Sequence, residues 1–416
     1  MKGQPLGQDI DLSKFAEMGN DLIPRLNSLR EQDPLYWSKT SKCWIATGHS
    51  FVVEGLSGKL PLSAKRHQII ESFFPDPVER AQKIGYIVEV FPDFLTNTDP
   101  PEQARLRKLL MLAFSKQVAE SYRPYVRTVV AEVMDSLADR TTVDFVGEVA
   151  RRITAKVILH VMGLPEDHLA QTEHWAQTLN AGLSGNPNPV AMAAANDAMV
   201  EMRDVFEKEI ERREGKAPTN DFVSLLLAAR DGSDQLTRSE LIAQLILVLV
   251  AGHDTTLNTM ALSVAKLADM PEERTIMRDN PDKFEACIME LMRVVAMSTS
   301  MRRVVSEDFE WQGRHLQRGQ VIFLMLAAAN RDPAVFSRPE QIDFDRNQAG
   351  NMTFAPGRHF CIGHWFAKMM MSEALPAFLA RYESWDVLED DLLFTASVGF
   401  RGPVRVNLRL HPRLAA

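Results

Sequence analysis

Apolar residues recur every third or fourth position over long stretches of this chain and alternate only in short ones. From Pro101 to Leu164 that spacing predicts helix. Thr98 or Asp99, ahead of Pro100-Pro101, offers a start, because a side-chain oxygen can cap free amides and proline is tolerated in a first turn. Pro165-Glu166-Asp167 opens a second helix that ends near Gly182. Gly185-Asn186-Pro187-Asn188-Pro189 predicts a loop, and a polar, charged helix follows to about Glu214. Leu241 to Met270 predicts one long helix through the centre. A helical turn at Pro271 and a helix from Lys283 to Val295 come next. The period then falls to two around Arg303–Val305, Phe309–Trp311 and Val321–Phe323, with Gly313 and Gly319 between them, which predicts strands. Leu35-Tyr36-Trp37 and Cys43-Trp44-Ile45-Ala46-Thr47 read as strands too. A proline- and glycine-rich stretch from Pro333 to Gly363 leads into a last helix, Ile362 to Tyr382. No repeat, low-complexity run or linker interrupts this order. The reading is one mainly α domain over 1–416, strand-rich at about 34–58, with a helical core at about 99–382.

Composition narrows the function more than the fold. The chain has 416 residues, 45% apolar and 25% charged, as in an ordinary globular protein. Its net charge of −8 gives no reason to expect nucleic acid, though local basic clusters could still meet an acidic partner. Three cysteines, Cys43, Cys287 and Cys361, form no C-x-x-C pair and no disulfide framework, so a reducing cytoplasm is expected. The start, Met1 to Ile10, is polar and lacks an apolar signal core. The longest apolar run, Leu241 to Ala251, is broken by Gln244 and too short to span a bilayer, so no membrane is expected.

The sharpest chemistry lies in Phe354-Ala-Pro-Gly357-Arg-His359-Phe-Cys361-Ile-Gly363. A thiolate that binds metal needs a loop exposing one sulfur and keeping water away. Gly357 permits a tight turn, Gly363 lets the next helix approach a flat cofactor, and Phe354 can shield the sulfur. Cys361 precedes a helix start, where free amides and the dipole favour an anionic sulfur. Cys43 and Cys287 lack such flanks and read as small buried hydrophobes. A second segment, Ala251-Gly252-His253-Asp254-Thr255-Thr256, lies inside the long helix. Ala251 and Thr255 share a face, leaving a groove beside a hydroxyl that can also bond the carbonyl four residues back.

The cysteine segment resembles the haem-binding signature of the cytochrome P450 family, F-x-x-G-x-[basic]-x-C-x-G, at every fixed position. The family often has glycine where this chain has Ala355 and Pro356. Ala251 to Thr256 resembles the family's oxygen-activating motif, and Glu290-Leu-Met-Arg293 its E-x-x-R. That last string is weak alone, since Glu102/Arg105, Glu120/Arg123, Glu148/Arg151 and Glu209/Arg212 share the spacing. Only chain order selects Glu290. Asn330-Arg331-Asp332-Pro333, Phe336, Pro339 and Phe344-Asp345 match the segment before the cysteine loop. The matches run in family order from about Asp99 to Leu410.

The resemblance implies the cytochrome P450 fold, a helical domain with a small β-rich subdomain, and haem b (iron protoporphyrin IX) as cofactor. It makes Cys361 the iron ligand and puts Phe354, Gly357, Gly363 and Ala251 against the haem. Arg107, Arg303 and His359 would hold the propionates. Many relatives carry histidine where this chain has Gln103, which leaves one propionate bond open. Asp254 and Thr255 become the proton-delivery pair. Glu290, Arg293 and Arg346 become structural supports of the haem loop. The implied activity is monooxygenation, one atom of O2 entering an apolar small molecule. Electrons would come from a ferredoxin-type donor and its reductase, docking near Arg105, Lys108, Lys116, Arg358 and Lys368. Alternatives are a peroxide-driven peroxygenase and a non-catalytic haem-thiolate sensor, neither of which needs the acid–alcohol pair. The pocket would draw on Ile84–Leu95, Leu179–Leu183, Val248–Ala251, Met297–Met301 and Val398–Phe400. The expected state is a cytoplasmic monomer.

Overall fold

A computed structural model describes residues 9–184, 188–395 and 397–413. Most of the loop expected at 185–189 therefore lies outside the described residues.

The longest helix, Arg238–Leu267, organises the rest. It begins three residues earlier than the apolar pattern suggests because Thr237 and Glu240 form a reciprocal capping box. By length and composition it could cross a membrane, but most of its apolar stretch is buried inside the protein. Helices Arg151–Met162, Leu169–Leu179, Pro189–Arg213, Phe284–Val295 and His364–Arg381 pack on it. Together they bury one large apolar cluster, from Ile70 to Leu410. The helix expected after Pro100-Pro101 begins at Glu102, with Pro101 and no side chain at its cap. Asp99 is engaged elsewhere: its carboxylate accepts from Ser63 Oγ (2.5 Å) and Ala64 N (2.9 Å), and Thr98 Oγ1 donates back to Leu95 O.

The strands are β1 (Leu35–Ser38), β2 (Cys43–Ala46), β3 (Leu62–Ser63), β4 (Thr142–Asp144), β5 (Met301–Val305), β6 (Phe309–Trp311), β7 (Arg314–Leu316), β8 (Val321–Leu324), β9 (Tyr382–Val387) and β10 (Asn407–Pro412). The main sheet has the order β1-β2-β8-β5-β3, with β2 and β8 parallel and the other pairs antiparallel. All four residues of β2 are buried, which is why its sequence is continuously apolar rather than alternating. A second sheet, β4-β10-β9, ties the C-terminal segment to the helical part, where Trp385 Nε1 donates to Val264 O of the central helix (2.9 Å). Strand β5 follows the helix Phe284–Val295 after residues 296–300 and brings Arg303 to His359 of the cysteine loop.

Candidate active site

The cysteine loop is closed by its own backbone. Cys361 N donates to Phe354 O (2.9 Å) and Phe360 N to Gly357 O (3.1 Å). Gly357 sits at φ +110°, and a Cβ there would lie 2.3 Å from Leu56 O, so only glycine closes this turn. Ala355 takes the left-handed φ of +48°, a strain of roughly 1–2 kcal/mol that the glycine common in the family would avoid. At Gly363 the surroundings are open: a Cβ would meet only the Phe114 ring at 3.9 Å. Phe354 stands edge-on to Phe360 and His364, forming an apolar collar around the loop.

The loop's sulfur is deeply desolvated, which pushes the thiol up, against weaker lowering by the Gly363 N–H and the Arg107 charge. Burial outweighs the amides, and it takes a metal ion at the sulfur to reverse the balance. Cys43 and Cys287 are buried thiols raised to about 12 and about 11, chiefly by desolvation. No group of three or more His, Cys, Asp or Glu is placed to hold a metal among the described residues. A metal at Cys361 would need its remaining ligands from a cofactor.

Cations converge beside this loop. Arg107 Nη1 donates to Phe360 O (2.8 Å), and Arg303 Nη1 donates to Arg302 O (2.9 Å). Burial lowers both guanidiniums, Arg303 to about 10 with a partly compensating field from Asp99. Arg66 is lowered to about 9, by burial first and then by Arg302 and Arg303. His359 falls to about 3 through burial and the nearby Arg303, Arg107 and Arg66, with Asp99 opposing. Among the described residues none of Arg66, Arg107, Arg302 and Arg303 forms an ion pair. Buried cations without counter-ions are costly. The gathering of Arg66, Arg107 and Arg303 around His359, beside the cysteine loop, fits a cofactor that brings both a metal and carboxylates. Gln103 is not part of that cluster's anion-facing set: it is buried, and its Nε2 donates to Arg358 O (2.9 Å).

On the central helix the side chains at 247, 250, 251, 254 and 255 keep some accessibility, whereas their neighbours are buried. These positions fall on one helical face. Thr255 Oγ1 donates to Ala251 O (2.7 Å). Asp254 is held from two sides, with Asn180 Nδ2 at 3.0 Å from Oδ2 and His253 Nδ1 at 2.7 Å from Oδ1. His253 is fully buried, and its Nε2 has no partner among the described residues. Gly252 serves packing, since a Cβ would come within 2.9 Å of Ile158 Cδ1.

Glu290 and Arg293 are both fully buried. Arg293 Nε and Nη2 donate to the two carboxylate oxygens at 2.8 Å, and Arg346 Nε donates to Oε1 at 2.9 Å. Gln348 Nε2 and Asp343 N complete the shell. Arg293 Nη1 also reaches Asn330 O (2.7 Å) and Pro339 O (2.8 Å), and Asn330 Oδ1 accepts from Met352 N, two residues before Phe354. The group thus joins one helix to the segment that carries the cysteine.

The basic residues expected at the outer face are mostly paired. Arg105 bonds Glu102, Asp234 and Glu240, Lys108 bonds Asp231, and Lys368 bonds Glu285. Arg358 Nη2 donates to Gly58 O. Lys116 and Lys368 both lie over the Trp365 ring, at 5.1 and 5.5 Å. Arg66, Arg302, Asn180 and His253 were missed by motif reasoning. Only His253 carried a signal, since it lies inside the threonine motif.

A family model described as Cytochrome P450 matches residues 78–393. The biotin biosynthesis cytochrome P450 of Bacillus subtilis is 30% identical over 301 residues, covering 72% of this chain and 76% of the relative. Cytochrome P450 107B1 of Saccharopolyspora erythraea is 30% identical over 404 residues, covering 95% and 94%. The crystal structure of P450BioI in complex with hexadec-9Z-enoic acid ligated acyl carrier protein superposes with a TM-score of 0.85 at 26% identity, covering 96% of this chain and 100% of that one. Fold and relatives define an oxidoreductase of the monooxygenase class. The chain belongs to the cytochrome P450 family, which implies a haem-thiolate cofactor.

Proposed function

We propose that this chain is a haem b monooxygenase of apolar small molecules, with Cys361 Sγ as the protein's ligand to iron. The observation that carries the reading is the Cys361 sulfur, half-buried in its closed loop where the other two cysteines are buried, beside guanidiniums that have no ion pairs among the described residues. Arg107, Arg303 and His359 hold the propionates, and Phe354, Gly357, Gly363 and Ala251 lie against the haem. When bound, the haem supplies the oxidation, using O2 and electrons to place one oxygen atom in the substrate. The apolar collar of Phe354 and Phe360 keeps water from the sulfur. Asp254 Oδ and Thr255 Oγ1 share the accessible face of the central helix and pass protons inward along it. Asn180 and His253 set where that carboxylate points. The open surroundings of Gly363 leave room for a flat group above the loop.

Electrons come from a separate ferredoxin-type donor and its reductase. With Arg105 and Lys108 already neutralised by Asp234, Glu240 and Asp231, docking centres on Lys116 and Trp365, where Lys368, itself paired with Glu285, also lies over the ring. The protein works as a cytoplasmic monomer.

The test is the spectrum of the reduced carbon monoxide complex. Cys361→Ala is expected to lose the red-shifted band that a thiolate ligand gives, while Cys43→Ala and Cys287→Ala keep it. Retention of the band in Cys361→Ala, with loss in either other variant, would overturn the assignment.

A further inference from the structure

We propose that Gln103 is a positioning residue for Cys361: together with Arg107 it clamps the cysteine loop by two backbone carbonyls and so fixes the direction in which the sulfur points. The proposal deepens the function given above and rests on Cys361 being the ligand to iron.

Gln103 is buried, at 3% exposure, and its Nε2 donates to Arg358 O (2.9 Å). A carbonyl oxygen only accepts, so the amide must turn its NH2 to the loop. One turn further along the same helix, Glu102–Leu110, Arg107 Nη1 donates to Phe360 O (2.8 Å). Side chains four apart on a helix lie about 5–6 Å apart at Cβ, and two residues of chain span at most about 7 Å. The helix face therefore matches the loop in spacing, with one donor for every second carbonyl. A single bond would hold a point and leave the loop free to pivot about it. The bonds to Arg358 O and Phe360 O hold a direction, and Cys361 is the next residue along it.

A second segment grips the loop as well. Arg358 Nη2 donates to Gly58 O (2.6 Å), and Gly357 passes so close to Leu56 O that a Cβ would lie 2.3 Å from it. Arg358 is thus held at its carbonyl by the helix and at its guanidinium by the segment 56–58. The helix is itself anchored. Leu106, Leu109 and Leu110 are buried, Arg105 pairs with Asp234 and Glu240, and Lys108 pairs with Asp231. Glu240 belongs to the capping box that starts the central helix. Donors carried on a fixed helix hold a loop more precisely than donors on another loop.

Gln103 and Arg107 divide the work. A guanidinium has five N–H groups, so Arg107 can serve the loop and a carboxylate together. The Gln103 amide has two, and one is committed to Arg358 O.

The experiment compares holoenzyme of the wild type, Gln103→Met and Gln103→Asn. Methionine keeps the buried volume without the donor, and asparagine keeps the amide one methylene short of the carbonyl. The lifetime of the red-shifted band of the reduced carbon monoxide complex is measured in mild urea. Amide exchange of the segment 354–363 is followed by mass spectrometry, and haem transfer to a scavenging apoprotein is timed. In both variants the band is expected to decay about three- to tenfold faster, and the segment to exchange faster by a similar factor, the worth of one typical hydrogen bond. Haem transfer is expected to stay near the wild-type rate, and far-ultraviolet circular dichroism in the same urea to stay unchanged. A wild-type band lifetime in Gln103→Met would reduce Gln103 to packing and overturn the proposal. So would a band lost in step with secondary structure, or haem transfer as fast as in Arg107→Ala, which would make Gln103 a propionate ligand. Should methionine prevent folding, Gln103→Asn decides by the same criteria. Failure of the haem placement itself would show separately, as a wild-type band that survives in Cys361→Ala.

Discussion

Replacing Glu290 by Gln removes one negative charge and almost no volume, so its consequences can be worked out from the contacts. In the wild type the carboxylate accepts from Arg293, Arg346, Gln348 and the Asp343 amide, with no exposure to water. In Glu290→Gln one oxygen becomes an NH2 group that faces the Arg293 or Arg346 donors. Two guanidiniums then lose their counter-ion. Removing one partner of a buried pair costs about 3–5 kcal/mol, a large fraction of the roughly 5–15 kcal/mol that keeps a domain folded. Replacing Arg293 as well should not rescue the fold. Arg293 also donates to Asn330 O, Pro339 O and Gln341 O, and each orphaned carbonyl costs about 1–3 kcal/mol. The assay is urea unfolding of the holoenzyme at matched haem content, followed by far-ultraviolet circular dichroism. A loss below about 1 kcal/mol in Glu290→Gln, well under the penalty for a broken buried pair, would refute the reasoning. Recovery of wild-type stability in the double variant Glu290→Met/Arg293→Met would do the same. The Glu290 carboxyl is held below its ordinary value of 4.5, by the hydrogen bonds and charges of Arg293, Gln348 and Arg346 acting against burial. A depressed carboxyl stabilises the fold above the unfolded value and loses that contribution as pH falls through the folded one. The wild type should therefore weaken on acidification below pH 4.5, and Glu290→Gln should lack that part of the acid slope.

Arg107→Ala is expected to release haem to a scavenging apoprotein faster than Gln103→Ala, because Gln103 supports only the Arg358 carbonyl; equal rates in the two variants would contradict the propionate assignment. Asn180→Leu frees one oxygen of Asp254, and Thr255→Ala removes the neighbouring hydroxyl. Both are expected to raise peroxide released per electron pair, and unchanged coupling in both would remove this face from proton delivery. The reduction rate by a ferredoxin is expected to fall with salt and to fall further in Lys116→Glu/Lys368→Glu. A salt-independent rate, unchanged in that variant, would place the donor elsewhere.

What could be read from the sequence was what is local. The central helix is legible because nineteen of its side chains are buried, in runs too long and too apolar for a strand, and the cysteine loop because a tight turn permits few residue types. The last helix was expected to reach Tyr382, where β9 already begins, because no glycine or proline marks the change after Arg381, and β9 itself was not predicted. β4 and β10 depend on partners far away in sequence, through Asn407 and Asp144, and no local pattern shows such pairing. The site divides along the same line. Glu290 and Arg293 are three residues apart on one helix, but what distinguishes them from Glu102 and Arg105 is burial, which only the packing of the segment 330–348 decides. Arg66 and Arg302 are 236 positions apart in numbering and lie in no shared motif; each alone reads as a surface charge. Their meaning comes from the strand pairing that sets Ser63 against Val304 and so brings the chain leading to Arg66 alongside β5. That pairing sets Arg66 within the field of Arg302 and Arg303, an arrangement that long-range topology decides and residue type does not.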